Sequence, residues 1–127
     1  MNSATPVVLV TADDYLLRHW QAAAIPHPTI RAGLDWQAQD GSIVLVDATM
    51  AGLPDWHDPW WQEKTAAYRI VIADTTPDDA EAFAALQAGC FGYCQAAAPL
   101  ETLRQVLEVV SEGGLWAEIG RASCRER

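Results

Sequence analysis

Lysine is nearly missing from this chain. Lys64 is the only one, and 8 Lys and Arg residues stand against 17 Asp and Glu, a formal net charge of −9 over 127 residues. That balance argues against these residues gripping a nucleic-acid backbone, which takes clustered cations. Cysteine is scarce as well. Cys90, Cys94 and Cys124 include no CxxC pair, so neither a zinc site nor a disulfide framework is expected. No apolar run is long enough to span a bilayer, and no basic segment followed by an apolar one opens the chain. A soluble, unexported, cytoplasmic protein without membrane association is therefore expected. No GxGxxG or P-loop run is present, which ranks a nucleotide or flavin binder last among the function classes.

What is present is apolar sequence in short, regularly spaced runs. Half of the residues are hydrophobic, enough for one domain around one core. Residues 6–10 form a β-branched run that reads as a buried strand. Asp13 and Asp14 follow as caps for a helix carrying Leu16, Leu17 and Trp20, which stops before Pro26. Residues 29–34 read as a weaker strand, Asp40-Gly41 as a turn and residues 42–46 as a third strand. After a loop, residues 60–68 read as a helix and 69–73 as a fourth strand. Thr76-Pro77-Asp78-Asp79 is a helix start, with a cap, a proline in the first turn and acids at the positive helix end; Gly89 is its C-terminal stop. Residues 91–95 read as a fifth strand. The last helix begins at Pro99, carries the stripe Leu100, Leu103, Val106, Leu107 and Val110, and ends at Gly113-Gly114. No internal repeat, long linker or low-complexity segment interrupts the series.

Alternating strands and helices predict an α/β domain, a doubly wound parallel sheet with helices on both faces. All strands of such a sheet end on one edge, where open α/β folds bind ligands. That edge should gather Asp13 and Asp14, Asp47, Asp74 with Thr75, and Ala96. Carboxylates meeting there can hold Mg²⁺, which takes hard oxygen ligands, and an aspartate beside the metal can accept a phosphoryl group.

This arrangement resembles the receiver domain of two-component response regulators, in particular the LuxR/NarL-type subfamily that carries a helix-turn-helix. The resemblance rests on residues 8–10 through Leu16-Leu17-Arg18, on Ile43-Val44-Leu45-Val46-Asp47, on residues 85–93, and on Glu112-Gly113-Gly114-Leu115-Trp116. It implies five strands and five helices in flavodoxin-like order. It implies phosphorelay signal transduction by a non-enzymatic domain, with a histidine kinase as partner. Asp47 falls on the phosphoacceptor position, and Asp13 with Asp47 on positions that hold Mg²⁺. Tyr93 matches the aromatic switch position. Four positions depart from the family pattern. Ala12 replaces the first residue of its acidic pair, unless a one-residue shift places Asp13 and Asp14 on the pair. Asp74 stands where the family has Thr or Ser, and Ala96 where it has Lys. Ala51 replaces a proline usual after Met50. Without the Lys, and with a further carboxylate if Asp74 points inward, a phosphoryl group on Asp47 meets only like charge. The expectation is an atypical pseudo-receiver with weak or no phosphorylation.

The alternative is a small Mg²⁺-dependent phosphotransfer or phosphatase-like enzyme with Asp47 as nucleophile; no Lys stands at a strand end to support it. Trp56, Trp60 and Trp61 surround Asp55, His57 and Asp58. Packing over the sheet is favoured for them over a partner surface, and loop polarity over a metal site. Cys90 and Cys94 read as small packed residues, and Tyr93 reads equally as a switch or as a packed strand residue.

Residues 118–127 break the acidic, apolar character of the rest and match the translation of a common sequencing-adapter read-through. They are set apart from a receiver-like domain at residues 1–117. The resemblance then implies that a native DNA-binding domain follows, and that DNA is reached only through it. It also implies a homodimer or partner face at residues 93–110.

Overall fold

Side chains alternate in facing along each strand, and both faces of this sheet are covered at its centre, so the central strands are apolar runs, Val7–Val10, residues 43–46 and residues 70–73. The computed structural model describes residues 5–118. The elements are β1 (Val7–Val10), α1 (Asp14–Ala24), β2 (Thr29–Arg31), β3 (Ile43–Asp47), α2 (Pro59–Ala67), β4 (Arg69–Asp74), α3 (Asp79–Gln87), β5 (Gly92–Gln95), α4 (Leu100–Ser111) and β6 (Trp116–Ala117). The sheet has the order β2-β1-β3-β4-β5-β6 with every pairing parallel. This is the expected doubly wound α/β architecture in flavodoxin-like order.

Two corrections follow. The sheet has six strands rather than five, because the segment after α4 turns back at Gly113 and pairs Trp116 with Gly92 and Ala117 with Tyr93. The described residues hold four helices rather than five. The connection from β2 to β3 is irregular, and β2 stops at Arg31 instead of reaching residue 34. Gly33, Asp35, Asp40 and Gly41 are poor helix residues and explain why that connection stays open. Its anchor is Trp36, which is 4% exposed. The indole meets Trp60 and Tyr68 edge-on, at ring separations of 5.8 and 5.5 Å. One large aromatic thus does the covering that a helix would have done.

The two faces have separate cores. On one, Val7, Leu9, Leu45, Val71, Ala73 and Cys94 pack against Leu16 and Trp20 of α1 and Leu103, Val106, Leu107 and Val110 of α4. On the other, Val8, Val10, Val44, Val46, Ile70, Ile72 and Tyr93 pack against Trp36, Trp61 of α2, and Ala82 and Ala85 of α3. Each fully buried aliphatic side chain contributes roughly 2 kcal/mol. The buried Trp20 indole donates to the Ala96 carbonyl at 2.9 Å, which ties α1 to the end of β5.

Helix ends are set locally. Asp13, Asp58 and Asp78 each accept backbone N–H bonds as N-caps, and Pro59 opens α2. Gly89, at φ +106°, ends α3 as expected; a Cβ there would lie 2.5 Å from Thr65 Oγ1. Trp60 and Trp61 lie in α2 with Trp61 buried, and Trp56 stacks on Trp61 at 4.4 Å, the packing role expected of them. Among the described residues no helix is long and apolar enough to cross a membrane.

Candidate functional site

Asp47 is the last residue of β3 and is buried, 3% exposed. Strand alternation puts it on the same face as Leu45, toward α1 and α4. Thr11 follows β1 with the same parity as Val7 and Leu9, so the two polar side chains meet. Thr11 Oγ1 donates to Asp47 Oδ2 at 2.7 Å. The other carboxylate oxygen accepts twice from Thr49, from its N–H at 2.9 Å and its hydroxyl at 2.7 Å. These two bonds make an Asx turn, which Met50 N–H to Asp47 O closes at 3.0 Å. Both oxygens are therefore engaged within the protein.

Beside this group lies an open depression of about 420 Å³ lined by Ala12, Asp13, Asp47, Thr49, Met50 and Ala51. Its lining includes no cation. Asp13 caps α1, its Oδ1 accepting from Tyr15 N and Leu16 N at 2.8 and 3.1 Å. Asp14 lies in the first turn of α1, at 3.6 Å from Arg31 in an exposed ion pair of little energetic weight. Ala96 is fully buried in the core against α1.

Asp74 does not join Asp47. Register pairs Asp47 with Ala73, so Asp74 is one step on and faces the α3 side. There its Oδ1 accepts from Thr76 N at 2.9 Å, on the side of the sheet where Glu81 stands. Glu81 Oε1 accepts from Tyr93 Oη at 2.6 Å, and Tyr93 Oη accepts from Asp78 N at 2.9 Å. Burial, first, and the neighbouring Asp74 carboxyl push Glu81 up to about 7, while its bond from Tyr93 works the other way. Burial and the bond to Glu81 raise the Tyr93 phenol well above its ordinary value.

No protein-family model and no curated protein matches the sequence. Solved structures do match the fold. A two-component response regulator of the LuxR family from Aurantimonas sp. SI85-9A1 superposes with TM-score 0.70 at 19% identity, over 90% of this chain and 89% of that one. A response regulator from Thermotoga maritima gives 0.69 at 13%, over 86% and 98%. The Mn²⁺-bound form of response regulator Rcp1 gives 0.58 at 13%, over 85% and 95%. The fold is that of a response-regulator receiver domain.

In the receiver fold, Asp47 occupies the expected place at the carboxyl end of a central strand. Of the carboxylates expected to gather there, Asp13 and Asp47 border one depression, while Asp74 serves the opposite face. Among the described residues no three His, Cys, Asp or Glu side chains stand close enough to hold a metal ion. Asp13 and Asp47, the two carboxylates that border the depression, both already accept hydrogen bonds within the protein. Tyr93 is fully buried, its hydroxyl bound at the first turn of α3. Burial raises the Cys90 thiol to about 12 and raises Cys94 further, which leaves both as packed, unreactive residues. Residues 119–127 of the set-aside tail lie outside the described residues. Glu118, its first residue, accepts from Gln95 N at 3.1 Å and Trp116 Nε1 at 3.0 Å.

Three functional-edge residues escaped the sequence reading: Thr11, Thr49 and Glu81. Two left a local signal. Asp47-Ala48-Thr49 has the spacing of an Asx turn, and Asp78 to Glu81 that of a capping box. Thr11 left none, because its contact depends on the register of β1 against β3.

Proposed function

We propose that this chain is an atypical receiver domain of a two-component-type, LuxR/NarL-like transcriptional regulator, in which Asp47 is a poor phosphoacceptor or none. The observation that carries this reading is the closure of Asp47: Thr11 and Thr49 occupy both carboxylate oxygens, and the adjoining depression has no cation. A phosphoryl group arriving there would have to displace those bonds and would add negative charge unneutralised by any ammonium. Weak Mg²⁺ binding by Asp13 and Asp47 would require the same threonines to let go. The domain then works chiefly through its surfaces. Residues 93–110, from β5 through α4, are the face for a second copy or a partner protein, a histidine kinase among the candidates. Residues 1–117 are the receiver-like unit in this reading, the segment from 118 to 127 is extraneous, and DNA is reached only through a further domain after the receiver.

The test is incubation of the protein with a small phosphodonor or a phosphoryl mimic and Mg²⁺, with Asp47 followed by mass spectrometry and NMR. The expected result is little or no adduct; a stoichiometric adduct at Asp47 overturns the reading. For the partner face, light scattering after size exclusion at several concentrations should show self-association that weakens when α4 surface residues such as Arg104 and Glu108 are exchanged in charge.

A further inference from the structure

The amino-terminal edge of the sheet, opposite Asp47, holds a cavity of about 220 Å³. β1, β3 and β4 open onto it at Val7, Ile43 and Arg69, and the C-terminal half of α4 closes it with Leu107 and Ser111. Arg69 shares its facing with Val71 and Ala73, so its side chain runs toward α4. There Nη1 donates to the carbonyls of Val110 and Ser111 at 2.9 and 2.7 Å. The guanidinium carbon lies 5.8 Å from the centre of the Phe91 ring. These contacts fix the guanidinium and cover the negative end of the helix, which would otherwise repel an anion. Among the described residues both of its hydrogen bonds come from Nη1, and no carboxylate pairs with it. Nη2 and Nε are left as a planar edge of donors held in place and unused.

We propose that this cavity binds a small organic carboxylate, with Arg69 taking the carboxylate through Nη2 and Nε while Pro6, Val7, Ile43 and Leu107 cover a short hydrocarbon body. The chain carries 17 Asp and Glu against 8 Lys and Arg, yet no Asp or Glu lines the cavity, while Arg69 and His27 do. An anion is therefore drawn to this spot on an otherwise negative protein. One edge of a guanidinium matches both oxygens of a carboxylate in a single plane, giving two parallel charge-assisted bonds. The apolar wall favours a carboxylate with a carbon chain over inorganic phosphate or sulfate, which gain nothing from it and lose hydration against it. A volume of about 220 Å³ lies below the range of roughly 300–1,000 Å³ typical of drug-sized ligands, so nucleotides and other large anions do not fit. Arg69 joins the ligand to the last turn of α4, so occupancy is felt at that end of the helix. The site lies at the opposite edge from Asp47 and does not depend on whether Asp47 accepts a phosphoryl group.

The experiment is an NMR titration of the full chain with acetate, butyrate, inorganic phosphate and sulfate at constant pH and ionic strength, following the Arg69 Nε–H and the amides of Val7, Ser42 and Ser111. Butyrate is expected to give one saturable curve at all of these groups, several-fold tighter than acetate, since each buried methylene is worth up to about fourfold. Ser111 is exposed at the end of α4, so the fold tolerates Ser111→Glu, and the new carboxylate competes for Arg69. Butyrate affinity should fall about tenfold or more in that variant. Arg69→Gln should do the same, and Ser111→Glu decides the point if Arg69→Gln fails to fold. Shifts that do not saturate, or that scatter over the whole surface, overturn the site. So does butyrate binding that survives Ser111→Glu or a folded Arg69→Gln, which would leave Arg69 as a helix cap alone. Phosphate or sulfate binding at these groups as tightly as butyrate overturns the assignment to an organic carboxylate.

Discussion

Thr11 Oγ1 and Asp47 Oδ2 lie 2.7 Å apart, and both residues are 3% exposed. The bond joins the ends of β1 and β3 with an ionisable group at its centre. Replacing Thr11 by Val keeps the shape and removes the donor, leaving one carboxylate oxygen buried without a partner. We expect a loss of about 1–3 kcal/mol. Urea unfolding should show a lower midpoint with an unchanged slope. Thr49→Val should cost less, about 1 kcal/mol or below, because Thr49 is exposed and its N–H still reaches Oδ1.

Glu81 gives stability a pH dependence of definite sign. Its carboxyl is raised in the folded protein, from 4.5 to about 7. The folded state therefore holds a proton that the unfolded state has lost over that interval. Its contribution is complete below about 4.5, declines as pH rises, and is gone above about 7. Glu81 is only partly buried, so solvent screening holds the effect to about 1 kcal/mol rather than the full value of such a displacement. Denaturant midpoints measured across this range should fall with pH in the parent protein and fall less in Glu81→Gln.

Gly89 is the glycine whose absence of a side chain matters most. Its φ of +106° disfavours any L residue, and an added Cβ would meet Thr65 Oγ1 at 2.5 Å. Thr65 cannot simply turn away, since its hydroxyl donates to Trp61 O at 2.7 Å. Gly89→Ala should cost about 2 kcal/mol or more, read as a fall in Tm. Combining it with Thr65→Ala should recover part of the loss, a non-additivity that separates the clash from the backbone strain.

Trp36 substitutes for a helix, which can be tested directly. Trp36→Ala should cost about 3–5 kcal/mol, the range for deleting a large buried aromatic. Trp36→Phe should be much milder. Its indole N–H is buried with no hydrogen-bond partner in the structure, so losing it removes an unmet donor. Lys64 Nζ sits 5.1 Å from the Trp36 ring and 5.7 Å from that of Trp60, and either substitution should loosen it. Thermal melts of the two variants decide the point.

Much of this protein is local in origin and was therefore legible in its sequence. Apolar runs at residues 7–10, 43–46 and 70–73, short and rich in β-branched residues, read as strands covered on both sides. Gly89 ends α3 as its backbone preference foretold, whereas the cap is Asp78 rather than the expected Thr76, which leaves Pro77 outside the helix. Asp47 closes its strand in plain view, and the edge it marks follows from parallel topology. The tertiary structure decided what depends on register and on facing. A one-residue step turns a side chain to the opposite side of a sheet. That step separates Asp74 from Asp47, so two acids close in the sequence pattern serve different faces. The register of β1 on β3 brings Thr11 across to Asp47, and the packing of α3 on β5 brings Tyr93 to Glu81, over 36 and 12 residues of chain. The sixth strand and the loop held by Trp36 also arise from long-range packing, which outweighs the weak local preferences of residues 32–42 and 113–117. Sequence determined which residues stand at the edge of the sheet; only the folded register decided which of them touch.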